Sequence, residues 1–268
     1  MEYLYDGSFD GLLTCIYHHY YQEAATGIYQ QEYYQPTLML SSTVVLTEPA
    51  LANRVYEAIE EKISADAVAI IYHVYLSSSS DKENLILNYL RLGFKMGAKA
   101  DLYHSHPAVY PVHKLDRKVT AEVHRFLGLI RFKDTGNFLY AVLSPDHHIL
   151  TLIADHFADR LAGERWIIHD QKRKLAIIYD GQDHRKDKSA IQFKWYLTEF
   201  SYHMDDDMPS AEQHWQQLWQ RYFQQISIES RYNPRLQSHF VPQRYRRHLL
   251  EFQTPSLCKD QDSYYAMD

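Results

Sequence analysis

The chain of 268 residues is poor in residues that interrupt regular structure, with nine glycines and nine prolines. Hydrophobic residues make up 46% of it, which excludes intrinsic disorder and collagen-like repeats. Its two cysteines, Cys15 and Cys258, lie far apart, so a disulfide framework and a cysteine-ligated zinc or iron–sulfur site are also excluded. We expect a soluble protein of a reducing compartment, the cytoplasm.

Long hydrophobic runs are missing as well. The longest apolar stretch covers residues 67–76 and contains His73, whereas a membrane-spanning helix needs about 20 apolar residues. The first ten residues carry Glu2, Asp6 and Asp10 and no basic side chain, so the positively charged start of a signal peptide is absent. We therefore expect no membrane association.

The sequence also lacks the short motifs of common enzyme classes. It contains no Gly-x-Ser-x-Gly, no phosphate-binding loop, no His-Glu-x-x-His and no dinucleotide fingerprint. Hydrolase, kinase and dehydrogenase functions thus have no support, and we expect no cofactor. His104 and His106 form a His-x-His pair near His113, but a convincing third ligand is missing, so we predict no metal site.

The net charge of −6 is unevenly distributed along the chain. Residues 1–113 carry 6 basic and 13 acidic side chains, and residues 114–268 carry 22 and 21. Residues 221–250 contain six arginines against Glu229 alone, a local charge of +5. Such an excess favours a polyanion partner, although an ordinary solvated face is the alternative.

Hydrophobic periodicity predicts an α+β fold with a helix-rich N-terminal part and a C-terminal antiparallel sheet packed with helices. The N-terminal part is expected to begin with a strand over residues 3–5 and a helix over Phe9–Tyr21 capped by Ser8. We expect three regions: a mostly helical part over residues 1–113, an α+β part with a basic helix and an arginine cluster over 114–253, and a flexible tail over 254–268.

In the second part, helical stripes alternate with short apolar runs. Helices are predicted over residues 116–132 and 147–161, the second with Asp146 as its N-cap. Strands are predicted over residues 138–143, 166–169, 175–179 and 193–200, followed by a helix that carries Trp215 and Trp219. The predicted elements thus follow the order β, α, β, β, β, α, and the second and third strands form a hairpin. This order is typical of an antiparallel α+β layer.

Arginines supply the candidate nucleic-acid surface. The predicted helix over residues 116–132 carries Arg117, Arg125 and Arg131 away from its apolar stripe. Guanidinium groups bind phosphate oxygens in a bidentate geometry, so this face suits a phosphate backbone. The alternative is that these arginines pair with neighbouring carboxylates. Further candidates for phosphate contacts are Arg160, Arg173, Arg235 and Arg244.

A carboxylate and several imidazoles form the candidate catalytic site. Asp146 and His147 follow a predicted strand, and a carboxylate beside an imidazole at the end of a strand suits water activation. His124 and His156 are the further candidates. The alternative is that Asp146 only caps the next helix.

Aromatic rings are abundant, with 23 tyrosines in the chain. Adjacent pairs such as Tyr20-Tyr21 and Tyr33-Tyr34 offer rings on which nucleobases can stack. Aromatic residues at helix or strand spacing are, however, more often part of a hydrophobic core.

Six segments carry a family resemblance. They are YLYDGSFDGLL at residues 3–13, EVHRFLGLIRF at 122–132, PDH at 145–147 leading to His156, Phe157 and Arg160, WIIHD at 166–170, NPRLQ at 233–237 and PQRY at 242–245. In these segments the chain resembles the bacterial family named probable DNA metabolism protein, a domain of unknown function. The resemblance extends to about Gln253.

This resemblance implies a place in DNA repair or modification. Members of the family are typically encoded beside a radical-SAM protein assigned to DNA modification, and related domains are fused to uracil-DNA glycosylases. The chain lacks the cluster-binding cysteines of a radical-SAM enzyme, and Ala108 after His106-Pro107 breaks the His-Pro-Ser pattern of glycosylases. Any such chemistry is therefore expected in a partner protein.

Three functional hypotheses follow. The first is an accessory protein of DNA repair or modification that binds DNA weakly, through phosphates, on an arginine-rich surface. The second is a nucleic-acid base-processing enzyme that uses Asp146, His147, His124 and His156. The third is a protein-interaction module without nucleic-acid binding. Convergence of the polar side chains in a concave site separates the second hypothesis from the first.

Overall fold

The computed structural model describes residues 1–36, 40–181, 195–201 and 209–253. The chain divides into two compact units, Met1–Ala121 and Glu122–Asp268. The expected boundary at residue 113 lies inside the helix that contains this division. The tail expected over residues 254–268 lies outside the described residues.

The first unit contains a small parallel sheet. Its described strands are β1 (Glu2–Tyr5), β2 (Gly27–Gln30) and β3 (Ser42–Val44). The central strand, β1, pairs in parallel with both neighbours. Its side chains are buried throughout, as expected for the central strand of a parallel sheet covered by helices.

Helices surround this sheet. Their bounds are α1 (Phe9–Tyr21), α2 (Pro49–Lys62), α3 (Ala65–Tyr75), α4 (Lys82–Met96) and α5 (Tyr110–Leu129), the last of which continues into the second unit. The predicted capping of α1 is confirmed, because Ser8 Oγ accepts a hydrogen bond from the N–H of Gly11 at 3.0 Å. A stripe of buried residues on α2, Val55 and Ile59, packs into the core with Ile71 of α3 and Leu90 of α4.

The second unit contains a five-stranded sheet. In spatial order the strands are β4 (Lys133–Asp134), β5 (Leu139–Leu143), β6 (Trp166–Asp170), β7 (Leu175–Tyr179) and β8 (Trp195–Glu199). The α+β fold class is confirmed, but the sheet is mixed, because β5 and β6 are parallel while the other neighbouring strands are antiparallel. The cause is α6 (Leu150–Arg160), which crosses from the end of β5 to the start of β6.

Among the described residues of the second unit, three more helices follow: α7 (Ser210–Ile226), α8 (Pro234–Phe240) and α9 (Gln243–Arg246). Two predicted helix boundaries are wrong. Helix α5 ends at Leu129, so Arg131 lies beyond it, and α6 begins at Leu150 with Ile149 at its N-cap, so Asp146 does not cap it. The N–H groups of Asp146 and His147 are instead bound by a carboxylate from α5.

Candidate functional site

Several polar side chains of the second unit lie close together where β5 and β6 end. Since these strands are parallel, their carboxyl ends lie at the same edge of the sheet, which is the usual position of ligand sites in parallel α/β sheets. We define the carboxyl edge by the residues that follow the two strands or complete them: Ser144, Asp146, Asp170, Gln171 and Arg173. Residues 243–248, here termed the arginine segment, contact this edge.

Glu122 of α5 binds both the loop after β5 and the arginine segment. Its side chain is buried, with the residue 2% exposed, and its carboxylate accepts hydrogen bonds from the N–H groups of Asp146 and His147 at 2.8 Å each. The hydroxyl of Tyr245 donates to the same carboxylate at 2.5 Å. Burial and this carboxylate raise the pKa of Tyr245 well above its usual value, so the hydroxyl stays protonated and able to donate.

Arg173 braces the loop after β5. Its guanidinium donates to Asp170 Oδ2 at 2.8 Å, to the carbonyl of Pro145 at 3.3 Å and to the carbonyl of Asp146 at 2.7 Å. Because Asp170 is fully buried, the positive charge of Arg173 balances a carboxylate that has no access to water. Arg173 therefore stabilises the loop after β5 and is not available to bind a ligand.

Arg244 is placed differently, since its ion pair is open to solvent. Its Nε lies 2.8 Å from Asp146 Oδ2, and the two side chains are 54% and 41% exposed. The guanidinium also lies over the Tyr245 ring, 4.7 Å from the ring centre. Exposed ion pairs contribute only about 0–1 kcal/mol, so an incoming anion can compete with Asp146 for Arg244.

Arg247 brings a positive charge that no carboxylate of the described chain neutralises. Its Nη2 donates to Ser144 Oγ at 2.5 Å and to Gln171 Oε1 at 3.0 Å, and its Nε donates to His248 Nε2 at 2.9 Å. All three acceptors are uncharged when His248 is neutral. The residue is exposed, so the carboxyl edge presents one uncompensated guanidinium to solvent.

His248 is neutral at physiological pH. Burial lowers its pKa to about 4, with further contributions from the positive charges of Arg247 and Lys133 and from His169. Its Nε2 lies 3.1 Å from Ser144 Oγ. The imidazole therefore acts as an acceptor that orients Arg247 rather than as a second cation.

The structure brings together four of the predicted site residues: Asp146, His147, Arg173 and Arg244. Arg160 lies at the far end of α6, which runs back to the opposite edge of the sheet. Arg131 donates to Glu251 at 2.8 Å and is thus paired internally.

The remaining predicted arginines lie on other elements. Arg117 belongs to the first unit and donates to the carbonyl of His113, Arg125 is half-buried on α5, and Arg235 is exposed on α8. Gly128 of α5 has open space where a Cβ would stand.

The four candidate catalytic residues occupy three elements. Asp146 and His147 lie in the loop held by Glu122, whereas His124 and His156 are exposed on α5 and α6. His124 follows Glu122 by two positions, and such positions on a helix do not share a face. The structure thus groups Asp146 with an arginine, a glutamate and a tyrosine rather than with His124.

His104 and His106 lie in a turn. His113 Nε2 lies 3.0 Å from Asp101 Oδ1, which also accepts a hydrogen bond from Tyr89. Over the described ranges, no three His, Cys, Asp or Glu side chains are arranged to hold a metal ion. Among the helices of those ranges, none has the length and apolar character to cross a membrane.

Sequence reasoning missed Glu122, Tyr245 and Arg247 as site residues. A signal was available for Glu122, which lies three residues after Val119 and four before Phe126 and so interrupts the apolar stripe of its helix. A carboxylate on a buried stripe needs partners. Arg247 offered no such signal, because the residues that accept its hydrogen bonds at the edge, Ser144 and Gln171, lie 103 and 76 positions away in the sequence.

Residues 80–251 match the model of the family described as domain of unknown function DUF4130. The chain belongs to this family. The matched range contains Glu122, the whole carboxyl edge and the arginine segment. Comparisons with curated proteins and with solved structures gave no match.

Proposed function

We propose that this DUF4130 protein is an accessory protein of DNA repair or modification that binds the phosphate backbone of nucleic acid at its carboxyl edge. The observation that carries the proposal is Arg247, an exposed guanidinium held in place by three neutral acceptors. A phosphate that binds there gains a charge-assisted hydrogen bond without first having to displace a carboxylate.

Arg244 supports the same contact. It lies one turn before Arg247 in the arginine segment, and both contact the loop over residues 144–146. Its exposed pair with Asp146 is weak, so a phosphate oxygen can take over part of its hydrogen-bonding capacity. Arg173 does not contribute, because its guanidinium is committed to Asp170 and two carbonyls.

The biological setting rests on the family resemblance. The chain resembles the probable DNA metabolism proteins, whose neighbours are radical-SAM proteins assigned to DNA modification and whose relatives are fused to uracil-DNA glycosylases. The carboxyl edge offers arginines for positioning and no recognised nucleophile motif. Under this proposal the chemistry belongs to a partner enzyme of one of these types, and the chain holds the nucleic acid for it.

The test is fluorescence anisotropy with labelled single-stranded and duplex DNA at several salt concentrations. For the wild type we expect log affinity to fall with log salt at a slope of about −3 to −4, as for roughly four phosphate contacts. The R244A/R247A variant should bind all sequences more weakly and lose about two units of slope, since residues that contact phosphates do not read bases.

R160A is the matched control, because Arg160 is exposed but lies at the opposite edge of the sheet. We expect it to bind as the wild type does. R131A should lower stability without changing the slope, because it removes the partner of the buried Glu251. Equal binding by R244A/R247A and the wild type would overturn the proposed site. If neither DNA form binds at low salt, the protein-interaction module becomes the better hypothesis.

A further inference from the structure

Helix α7 packs against its own unit by an edge that carries both polar and apolar residues. Glu212 accepts a hydrogen bond from the N–H of Asp134 at 3.1 Å, and Gln220 donates to the carbonyl of Leu250 at 3.3 Å. Phe223 is partly buried farther along this edge. Since 212, 220 and 223 follow the repeat of an α-helix, they share one face.

The apolar stripe of α7 is exposed over most of its length. Its members are Trp215, Leu218, Trp219, Tyr222 and Ile226; Leu218 and Trp219 are the least exposed, at 38% and 39%, and Trp219 Nε1 donates to Glu251 Oε2 at 3.4 Å. Trp215 is 67% exposed and Tyr222 is 54% exposed. This spacing normally marks the buried face of an amphipathic helix, and the stripe is about 16 Å long. An exposed apolar surface of this kind marks a binding site.

The chemistry of the stripe suits nucleobases. Trp215, Trp219 and Tyr222 follow one another at about one turn, or roughly 4.5–6 Å along the helix axis. Flat indole and phenol rings stack on bases of any sequence, because every base has a π face. The stripe therefore offers successive stacking positions along one line.

The charge around the stripe favours a polyanion. Helix α7 contains one acidic residue, Glu212, which is buried and bound to the backbone of Asp134. Arg221 is exposed beside Tyr222 in sequence. The Arg131 guanidinium lies 5.9 Å from the Trp219 ring centre, but Glu251 balances its charge. The +5 segment over residues 221–250 begins within this helix.

We infer that the exposed stripe of α7 is a stacking surface for the unpaired bases of single-stranded nucleic acid. This inference rests on the proposed function, because arginines have to supply the attraction for the backbone. It adds a preference for single strands. In a duplex the bases are paired and stacked on one another, so their faces are not available to Trp215 and Tyr222.

The experiment compares a fluorescent oligothymidylate of about 20 nucleotides with a duplex of the same length, using the full chain. The variant W215L/Y222L keeps the stripe apolar but removes two rings, and W215F/Y222F keeps the rings. We expect W215L/Y222L to bind oligothymidylate at least about tenfold more weakly and duplex as the wild type does. W215F/Y222F should remain within about threefold of the wild type for both ligands.

Y196L is the matched control, since Tyr196 is a similarly exposed ring on β8 of the same unit. It should leave oligothymidylate binding unchanged. Circular dichroism confirms that each variant is folded. Sedimentation velocity compares the oligomeric state of the wild type with that of W215L/Y222L.

Two results would overturn the stacking inference while the proposed phosphate site stands. One is oligothymidylate binding by W215L/Y222L at wild-type affinity, with R244A/R247A still impaired. The other is a wild-type oligomer that becomes monomeric in W215L/Y222L without any loss of oligothymidylate binding, which would make the stripe an interface between copies. Failure of the wild type to bind either DNA form overturns both the inference and the proposed function.

Discussion

Each unit contains a buried tyrosine that donates to a buried glutamate, and the two pairs serve different purposes. In the first unit Tyr5 of β1 donates to Glu83 of α4 at 2.8 Å. In the second unit Tyr245 of α9 donates to Glu122 of α5. Burial, followed by the neighbouring carboxylate, raises the pKa of both tyrosines.

The other partners of the two glutamates account for the difference. Glu83 also accepts from the side-chain amide of Gln30 on β2 at 2.9 Å, so it ties a helix to two strands within a core. Glu122 accepts from two backbone N–H groups of the loop that carries Asp146. Glu122 thus positions the loop of the candidate site, whereas Glu83 stabilises the core of the first unit.

The carboxyl ends of β1 and β5, one parallel strand from each unit, show the same contrast. After β1, Asp6 accepts from the N–H and the hydroxyl of Ser8 and from the hydroxyl of Thr47. After β5, Asp146 meets the guanidinium of Arg244. The position at the end of a parallel strand is common to both, so the arginines are what make the second edge a candidate for anions.

Removal of the two glutamates should have the largest effect. In E122A two buried N–H groups and the Tyr245 hydroxyl lose their acceptor, and in E83A the Tyr5 hydroxyl and the Gln30 amide lose theirs. Each variant should lose about 2–4 kcal/mol of unfolding free energy, measured by urea denaturation. E122A alone should also weaken DNA binding under conditions where both variants remain folded.

E122Q refines this test. An amide oxygen still accepts one hydrogen bond, but the amide nitrogen donates and so opposes a second backbone N–H. We expect its stability to lie between those of the wild type and E122A. If E83A weakened DNA binding as much as E122A, the proposed division of roles between the two glutamates would be wrong.

The sequence predicts the parts of this fold that depend on near neighbours. Ser8 as the cap of α1 and the stripe of Val55 and Ile59 follow from spacings within a turn or two. The contacts of the site are distant in sequence, since Asp146 is 24 residues from Glu122 and Tyr245 is 123 residues from it. No local pattern shows that a remote glutamate binds the N–H of Asp146. The sequence alone therefore predicts, wrongly, that Asp146 caps α6.

Removal of the two tyrosine hydroxyls should lower the free energy of unfolding by less than removal of the glutamates. The two losses should also show which tyrosine–glutamate pair contributes more to stability. In Y245F the Glu122 carboxylate keeps two backbone N–H donors, whereas in Y5F Glu83 keeps only the donor from Gln30 among those described. We expect losses of about 1 kcal/mol for Y245F and about 2 kcal/mol for Y5F. Urea denaturation of both variants checks the order, and a larger loss for Y245F would contradict it.

A histidine beside an arginine also occurs in each unit and gives the smallest expected effect. Burial and the charge of Arg91 lower the pKa of His19, whose Nδ1 accepts from the N–H of Ala25 at 2.8 Å. Burial and Arg247 lower the pKa of His248 from 6.5 to about 4. In both units the folded chain holds the neutral imidazole.

The sign of the pH dependence follows from these shifts. A histidine whose pKa is lower in the folded chain than in the unfolded chain takes up a proton on unfolding, so His248 lowers stability as the pH falls from 6.5 towards 4. H248Q removes this titration, so its stability should decline less than that of the wild type over the window. The full shift would correspond to about 3 kcal/mol, but His248 is only partly buried, and screening by water reduces the expected difference to about 1 kcal/mol. Urea denaturation at several pH values measures the difference.

H19Q should change the pH dependence in the same direction, but only H248Q should weaken DNA binding at neutral pH, because His248 orients Arg247. Parallel stability curves for H248Q and the wild type between pH 4 and pH 6.5 would show that His248 is not held neutral by its surroundings.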